Sequence, residues 1–344
     1  MGLVLIRRGR TALKWVAVFA AAIQLVPLAA PLLLSTDAWT YWNYGRLSAV
    51  HGRNPYTAVP ADEPSDPSYP WVGDGWRHEH SVYGPAFTLA SEPVALAAGT
   101  SHNAAAWIYK TLGALAVLGA TALAAFLSPA RAFAAALVGW NPLVAVHFAG
   151  GGHNDAWMAL AVVGALALAA TRRPQLAGVS WVASIAIKWV PLVLLPLRAL
   201  EARATGRRVG HLGFAVAAVV IVAAAVARYG FHWLGAFGPL ARNANHESRF
   251  SIPHRIEQLG LPHPAGIVIA AAAFAVAYVW LLRSASRGRA RLGLATGLLL
   301  LATPWLIAWY VIWTLPLAAA EEDRTAQWLA VGLSAYLLRQ TVPL

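Results

Sequence analysis

The chain has 344 residues, is 59% hydrophobic, and carries charge on only 12% of its positions, with a formal net charge of +12. A soluble domain carries about a quarter charged residues, and several apolar runs here reach the roughly 20 residues that a bilayer core demands, so an ordinary soluble enzyme is excluded. There is no cysteine, which excludes disulfides and thiol chemistry; the basic residues cluster between apolar runs, the pattern that orients a membrane protein rather than one that binds nucleic acid.

At the N-terminus, Arg7, Arg8 and Arg10 precede an apolar run from about Ala12 to Leu34. That run is too long for the apolar core of a signal peptide, and no small-residue cleavage site follows it. It is expected to stay as a first helix with its N-terminus in the cytoplasm. A polar, aromatic segment follows, from Ser35 to about Tyr83. Further apolar spans are predicted near 84–99, 103–127, 132–149, 154–170, 176–197, 211–228, 265–283, 291–303, 305–320 and 326–342, with a second polar segment from Tyr229 to about Pro264. No alternating strand pattern supports a membrane β-barrel. The expected fold is a single all-α, polytopic transmembrane domain over residues 1–344, with external loops at about 35–83 and 229–264.

Several spans are short. Pro142, Pro191, Pro196 and Pro304 interrupt them, and Gly150-Gly151-Gly152 separates two. Broken helices are tolerated at membrane depth only where protein or a wet cavity covers the freed backbone, so an internal polar cavity is expected. The basic segments Arg198–His211 and Arg283–Arg291 mark cytoplasmic loops and put both long polar segments on the opposite face. Simple counting then leaves Thr171-Arg172-Arg173-Pro174 outside, against the charge rule. If span 84–99, which contains Glu92 and Pro93, does not cross, that loop moves inside and Gly150–Asp155 moves outside, and span 176–197 must then turn back as well. The sequence permits both arrangements.

Few residues in such a chain can carry chemistry. Asp37 stands just beyond the first span, among Trp39, Tyr41, Trp42 and Tyr44. It is either an interfacial carboxylate that ends a helix or, next to aromatic faces suited to a sugar, a group that takes a proton from a hydroxyl. Lys188 lies inside the apolar run Val182–Leu197; a lysine at that depth either serves function or snorkels to an interface. His153-Asn154-Asp155 follows three glycines and precedes an apolar helix, so Asn154 or Asp155 either caps that helix or contacts a ligand at its N-terminus. Arg242, Arg249 and Arg255 offer phosphate contacts in the second external segment, or a solvated basic loop. Trp305, Trp309, Tyr310 and Trp313 recur at helical spacing and suit helix packing or a wall for a sugar or lipid chain. His51, Asp74, His78, Glu79 and His80 fit no zinc spacing, and no metal is expected.

Read together, Asp37-x-x-x-Tyr41, Gly45-Arg46 and His51-Gly52-Arg53-Asn54-Pro55-Tyr56-Thr57 resemble the first external loop of the GT-C glycosyltransferases. More narrowly, the sequence resembles polyprenol-phosphomannose-dependent α-1,6-mannosyltransferases. The resemblance continues through Trp76-Arg77, Ser81-Val82-Tyr83-Gly84-Pro85, Trp140-Asn141-Pro142, Gly152-His153-Asn154-Asp155, Arg172-Arg173-Pro174, Lys188-Trp189-Val190-Pro191, Pro304-Trp305, Trp309-Tyr310 and Trp313-x-x-Pro316-Leu317. It implies a GT-C-like bundle of about 10–11 helices, some broken or re-entrant, whose first external loop carries short amphipathic helices. It implies an integral inner-membrane enzyme with its site on the external face. The donor is then a sugar, foremost mannose, on a polyprenyl phosphate, and the acceptor a glycan or glycolipid. Asp37 matches the family's general base and transfer inverts the anomeric carbon. Substrate contacts are expected from Tyr41, Arg46, Tyr83, His153, Asn154, Asp155, Lys188, Arg242, Arg249, Trp305 and Tyr310. Membrane lipids are partners, nucleic acid is not, and no cofactor is expected. Two other classes stay open: a transporter or flippase of polyprenyl-linked sugar or lipid, and a noncatalytic subunit of an envelope-synthesis complex. No internal repeat is evident, so transport lacks positive support.

Overall fold

A computed structural model of the chain describes residue 6 and residues 12–238 and 247–341. Among the described residues there are fifteen α-helices and no strand, as a polytopic all-α membrane protein requires. In chain order they are α1 (Leu13–Leu25), α2 (Asp37–Ala49), α3 (Pro85–Ala98), α4 (His102–Leu127), α5 (Arg131–Gly139), α6 (Pro142–Ala145), α7 (Asp155–Ala170), α8 (Pro174–Ile187), α9 (Leu195–Thr205), α10 (His211–Tyr229), α11 (Ile252–Glu257), α12 (His263–Ser286), α13 (Leu292–Ala302), α14 (Leu315–Ala320) and α15 (Arg324–Thr341).

Among the described residues, three helical segments are long and apolar enough for a full membrane crossing: His102–Leu127, His211–Ala236 and His263–Ser286. A bent pair of helices passes the same test when taken together. The α5 and α6 segments, Arg131–Gly139 and Pro142–Gly150, meet at a 52° bend. Pro142 cannot donate a helical hydrogen bond, so the old helix stops there. Asn141 starts the new one, its side-chain oxygen accepting from the N–H groups of Leu143 and Val144 at 3.0 and 3.3 Å, a cap of the kind worth about 1 kcal/mol. The helix then loosens into a π turn at Val146–Gly150.

Two ends of the bundle differ in character. At one end a single cavity is lined by Arg172, Arg198, Arg207, Arg208, Arg289 and Arg291. At the other lie Asp37 and the first long loop. The ambiguity around Arg172 is thereby resolved: it shares an end with the other basic loops, and Gly150–Asp155 shares an end with Asp37. Two apolar stretches make this possible by not crossing. Helix α3 stays at the Asp37 end. Its first residues follow Gly84, whose N–H donates to the Ile187 carbonyl at 3.2 Å. The carbonyl of Gly99, just past its last turn, accepts from Arg46 of the first loop at 2.6 Å. Glu92, midway along α3, pairs with Arg228 at 3.0 Å and accepts from Tyr229 at 2.7 Å. The second stretch, α8, climbs from the arginine end to Ile187. The chain breaks at Lys188, turns through Val190–Leu194, and returns in α9. Lys188 therefore sits at the tip of a hairpin.

The largest hydrophobic core joins α1, α4, α5, α7 and α13–α15, for example through Val16, Val117, Val138, Val163, Leu294, Leu317 and Leu333. A second core, rich in aromatics, joins α2, α3 and the start of α4 through Tyr41, Trp42, Tyr44, Tyr83, Phe87 and Tyr109. Trp157 and Ile187 pack against both. The resemblance implies amphipathic helices in the first loop, but α2 is buried on nearly every side, from Thr40 to Ser48 without interruption. It runs beneath the rest of its own loop and against α3, at a separation only glycine permits: a Cβ on Gly45 would lie 2.3 Å from the Ser91 carbonyl oxygen.

Candidate active site

The site forms where the two cores meet. Asp37 is the first residue of α2. The segment before it is pinned from below by Lys110, a fully buried lysine on α4 whose ammonium donates to the carbonyls of Leu28, Ala30 and Pro31. The Asp37 backbone N–H donates to the Ser35 hydroxyl at 3.1 Å. Its carboxylate oxygen Oδ2 accepts from the Tyr41 hydroxyl one turn along, at 3.3 Å, and from His153 Nδ1 at 3.2 Å. Oδ1 receives neither of these bonds. The Asp37 side chain is 13% exposed, and His153 is fully buried.

Asp37 takes no part in a membrane span, and its charge state follows from its partners. Burial alone pushes the carboxyl up, but the His153 hydrogen bond and charge, the Ser35 hydroxyl and the Lys188 ammonium outweigh it. The net shift is downward, so Asp37 is ionised at neutral pH.

His153 is aimed by its surroundings. Gly152 holds φ at +71°, the left-handed region that favours glycine, and a Cβ there would press on Tyr109, Lys110 and Ala38 at 3.1–3.3 Å. That turn brings the imidazole under Asp37 and onto the Trp309 ring, stacked at 3.8 Å between centroids and 15° between planes. The Nε2 atom of His153 is buried without a hydrogen-bond partner among the described residues.

Next to it, Asn154 and Asp155 begin α7. The capping reading does not hold: Asn154 occupies the N-cap position, yet its side chain makes no cap bond, and both its amide atoms are buried and unpartnered among the described residues. Asp155 instead binds sideways. Its Oδ1 accepts from the Lys188 ammonium at 2.7 Å and from the Trp313 indole N–H at 2.6 Å. The Lys188 side chain is 18% exposed against 1% for Asp155, and its ammonium lies over the rings of Tyr310 and Trp313, 4.9 and 5.6 Å from their centroids. Lys188 thus does not snorkel away; one carboxylate and two aromatic rings fix it at the hairpin tip.

Of the residues expected at the site, Asp37, Tyr41, His153, Asn154, Asp155, Lys188 and Tyr310 come together. Tyr83 packs edge-on against Tyr41 at 5.0 Å and forms a wall. Arg46 does not join them. It lies nine residues along α2, about 13 Å of helical rise, where its guanidinium binds Asp66 at 2.8 and 3.0 Å. His51 closes on the same carboxylate at 2.6 Å. Burial raises the Asp66 carboxyl, and Arg46, His51 and Ser68 overcome it and hold it well below the carboxylate range. Arg46 is therefore spent on bracing the loop. Arg249 is exposed, its guanidinium 5.0 Å from the adjacent Phe250 ring, and Trp305 is 38% exposed; neither contacts the Asp37 group. Arg242 lies outside the described residues.

Three further contributors are not among the substrate contacts expected from the sequence. Spacing alone groups Trp309 and Trp313 with Trp305 and Tyr310, and only the three-dimensional turn of residues Ala308–Trp313 shows that these two face His153 and Asp155. Lys110, like Lys188, is a lysine inside an apolar run, and that rarity is its available signal.

No metal-ligand cluster surrounds Asp37 among the described residues. His51 binds Asp66 at 2.6 Å and faces Glu63 at 3.6 Å, His80 faces the Ala58 carbonyl at 3.3 Å and Asp74 pairs with Arg77 at 3.0 Å.

Comparison with known proteins places the chain in a family. Residues 2–204 match the N-terminal domain of the alpha-(1->6)-mannopyranosyltransferases, and residues 254–343 match the MptB C-terminal domain. The chain is 28% identical over 349 aligned positions to alpha-(1->6)-mannopyranosyltransferase A of Mycobacterium tuberculosis, covering 90% of this chain and 67% of that protein. No solved structure matches it significantly.

Proposed function

Since the chain belongs to the alpha-(1->6)-mannopyranosyltransferase family, we propose that it transfers mannose from a polyprenyl-phosphate donor to a glycan or glycolipid acceptor at the external membrane face. Asp37 is the general base. One observation carries this reading: Tyr41 and His153 both bind Oδ2 of an ionised, mostly buried carboxylate, so its orientation is set while Oδ1 is left to meet an incoming hydroxyl. Buried Nε2 of His153 is the less accessible base.

In the proposed step, the acceptor hydroxyl attacks the anomeric carbon from the face opposite the phosphate. A C–O bond forms to the acceptor oxygen as its proton passes to Asp37. The bond between C1 and the phosphate oxygen breaks, and the electron pair leaves with the polyprenyl phosphate. Configuration inverts. A phosphate monoester departs well without protonation and needs a positive neighbour instead, a fixed donor of the kind that works best away from water. Lys188 supplies it. Asp155, itself held by the Trp313 indole, keeps that ammonium aimed, and the rings of Tyr310 and Trp313 wall the sugar. His153 acts by positioning Asp37. The reaction needs no cofactor. The Asp37 end faces outward and the arginine end, with the N-terminus, faces the cytoplasm, as the distribution of basic loops favours.

The decisive test is product analysis. Purified protein, polyprenyl-phosphate mannose and a mannoside acceptor are incubated, and mass spectrometry is expected to find an acceptor heavier by one hexose, joined by an α-1,6 bond. Movement of donor lipid across vesicles with no covalent product would overturn the transferase reading in favour of transport.

A further inference from the structure

The second long loop brings together four groups that the Asp37 site does not use. Glu247 precedes α11, His254 and Glu257 lie one turn apart on α11, and His263 opens α12. Glu247, His254 and Glu257 each offer a ligand atom, all within 4.8 Å of one another. Glu247 Oε2 lies 3.6 Å from His254 Nδ1 and 3.5 Å from His263 Nδ1, and His254 Nδ1 lies 3.6 Å from Glu257 Oε2. His263 Nδ1 also closes directly on Glu257 Oε1.

We propose that Glu247, His254, Glu257 and His263 form a structural zinc site that clamps the second loop to the head of α12. Zinc takes four nitrogen or oxygen ligands tetrahedrally at about 2.0–2.1 Å, which sets the edges of the tetrahedron at about 3.3–3.4 Å. The three longer separations fall within a few tenths of an ångström of that value; Glu247, His254 and Glu257 already lie close enough to share an ion, and His263, now closed on Glu257, swings from that contact to become the fourth ligand. Two imidazoles and two carboxylates suit zinc over calcium or magnesium, which prefer all-oxygen shells.

A second observation points to the same ligand. The Glu247 side chain is only 6% exposed, and both its carboxylate oxygens are buried with no hydrogen-bond partner among the described residues. A buried carboxylate with no hydrogen bond, faced by two imidazoles at 3.5–3.6 Å, is costly, and a divalent ion among two carboxylates and two neutral imidazoles leaves the cluster uncharged. Four protein ligands close the coordination sphere, which marks a structural site and not a catalytic one. The clamp has something to hold: Ser248, next in the chain, donates from its N–H to the Pro304 carbonyl at 2.9 Å and from its hydroxyl to the Leu306 carbonyl. The stretch it binds leads directly into the turn carrying Trp309 and Trp313.

The experiment uses tag-free, full-length protein in detergent, stripped with a chelator, exposed to zinc chloride and desalted. Metal content is read by mass spectrometry and the ligand shell by X-ray absorption. About one zinc per chain is expected, in a shell of nitrogen and oxygen with no sulfur, together with a rise in Tm. The double variant Glu247→Gln/His263→Ala is expected to retain almost none, and the control His78→Ala/His80→Ala to retain it fully. Should the double variant fail to fold, Glu257→Gln alone is expected to weaken zinc binding at least tenfold. Absence of retained zinc in the unaltered protein, or equal retention in the Glu247→Gln/His263→Ala or Glu257→Gln proteins, overturns the assignment.

Discussion

The two ends of this bundle treat charge in opposite ways. At the arginine end a cavity of about 970 Å³ is lined by Arg172, Arg198, Arg207, Arg208, Arg289 and Arg291, with Glu201, Glu321 and Asp323. Two of those arginines hold carboxylates: Arg291 binds Asp323 at 2.6 and 2.9 Å, and Arg198 pairs with Glu201. Cations are in surplus there, and space is generous. Around Asp37, at the other end, the charges are few and matched. Asp37 faces His153, Lys188 faces Asp155, and each pair is backed by an aromatic ring. The roomy cavity thus lies at the end away from Asp37 and Lys188. A surplus of basic side chains at one face is what orients a chain in a bilayer. Reciprocal pairing of groups that cost free energy to bury is what preorganises a reaction.

That contrast can be broken or sharpened by substitution. The largest effect is expected from Asp37→Asn, which keeps the shape and removes the proposed base. Turnover should fall by about 10²–10⁴-fold with donor affinity little changed, read by single-turnover kinetics. The pH profile of the unaltered enzyme sharpens this. A depressed carboxyl stays ionised above its unfolded value of about 4, so its activity and its share of stability are fully present there. Both are lost only as pH falls through the lower folded value. The acid limb of kcat/KM is therefore expected below about pH 4, and a limb above about pH 6 would move the base role to another group.

A smaller, more informative effect is expected at the second pair. Lys188→Met strands the Asp155 carboxylate, and breaking a buried pair on one side costs about 3–5 kcal/mol. The expected outcome is a lowered Tm and a donor affinity weakened tenfold or more. Adding Asp155→Asn should recover the Tm without recovering transfer. Recovery of both would mean that the ammonium serves folding alone.

The smallest effect is expected at the opposite end. Arg207→Ala/Arg208→Ala removes two cavity-lining cations, and steady-state turnover should stay within about twofold, as for most exposed substitutions. A loss comparable to that of Lys188→Met would erase the distinction between the two ends.

Much of this is legible in the sequence, for identifiable reasons. Apolar runs of sufficient length announce the helices, and arginine clusters announce one end. Lys188 stands out because charge is rare inside an apolar run, and Asp37 because it follows one directly among aromatic residues. Pairing is not legible. Asp155 is 33 residues from Lys188 and 158 from Trp313, and no local pattern joins them. Arg46 has the same credentials as Lys188, but its partner Asp66 lies in an irregular loop whose course no periodicity encodes. Helix α3 reads as a span because composition cannot see what Glu92 reaches: Ser48, Arg228 and Tyr229, which keep the helix at one end. The cluster at Glu247, His254, Glu257 and His263 is invisible for the same reason as Asp155: its members meet only when the loop folds over α12.

Asp37 and Lys188 arrive from different parts of the chain, one on the first loop and one on a hairpin tip, and at Gly84 the backbone of that loop is stitched to the tip. A methyl group there would sit 2.1 Å from the Ala186 oxygen. Even the slightest thickening of that seam would pry the two arms apart like the jaws of a spread clothes-peg. The proposed base and cation would each remain intact in such a chain, yet stand too far apart to grip the sugar that the proposal gives them.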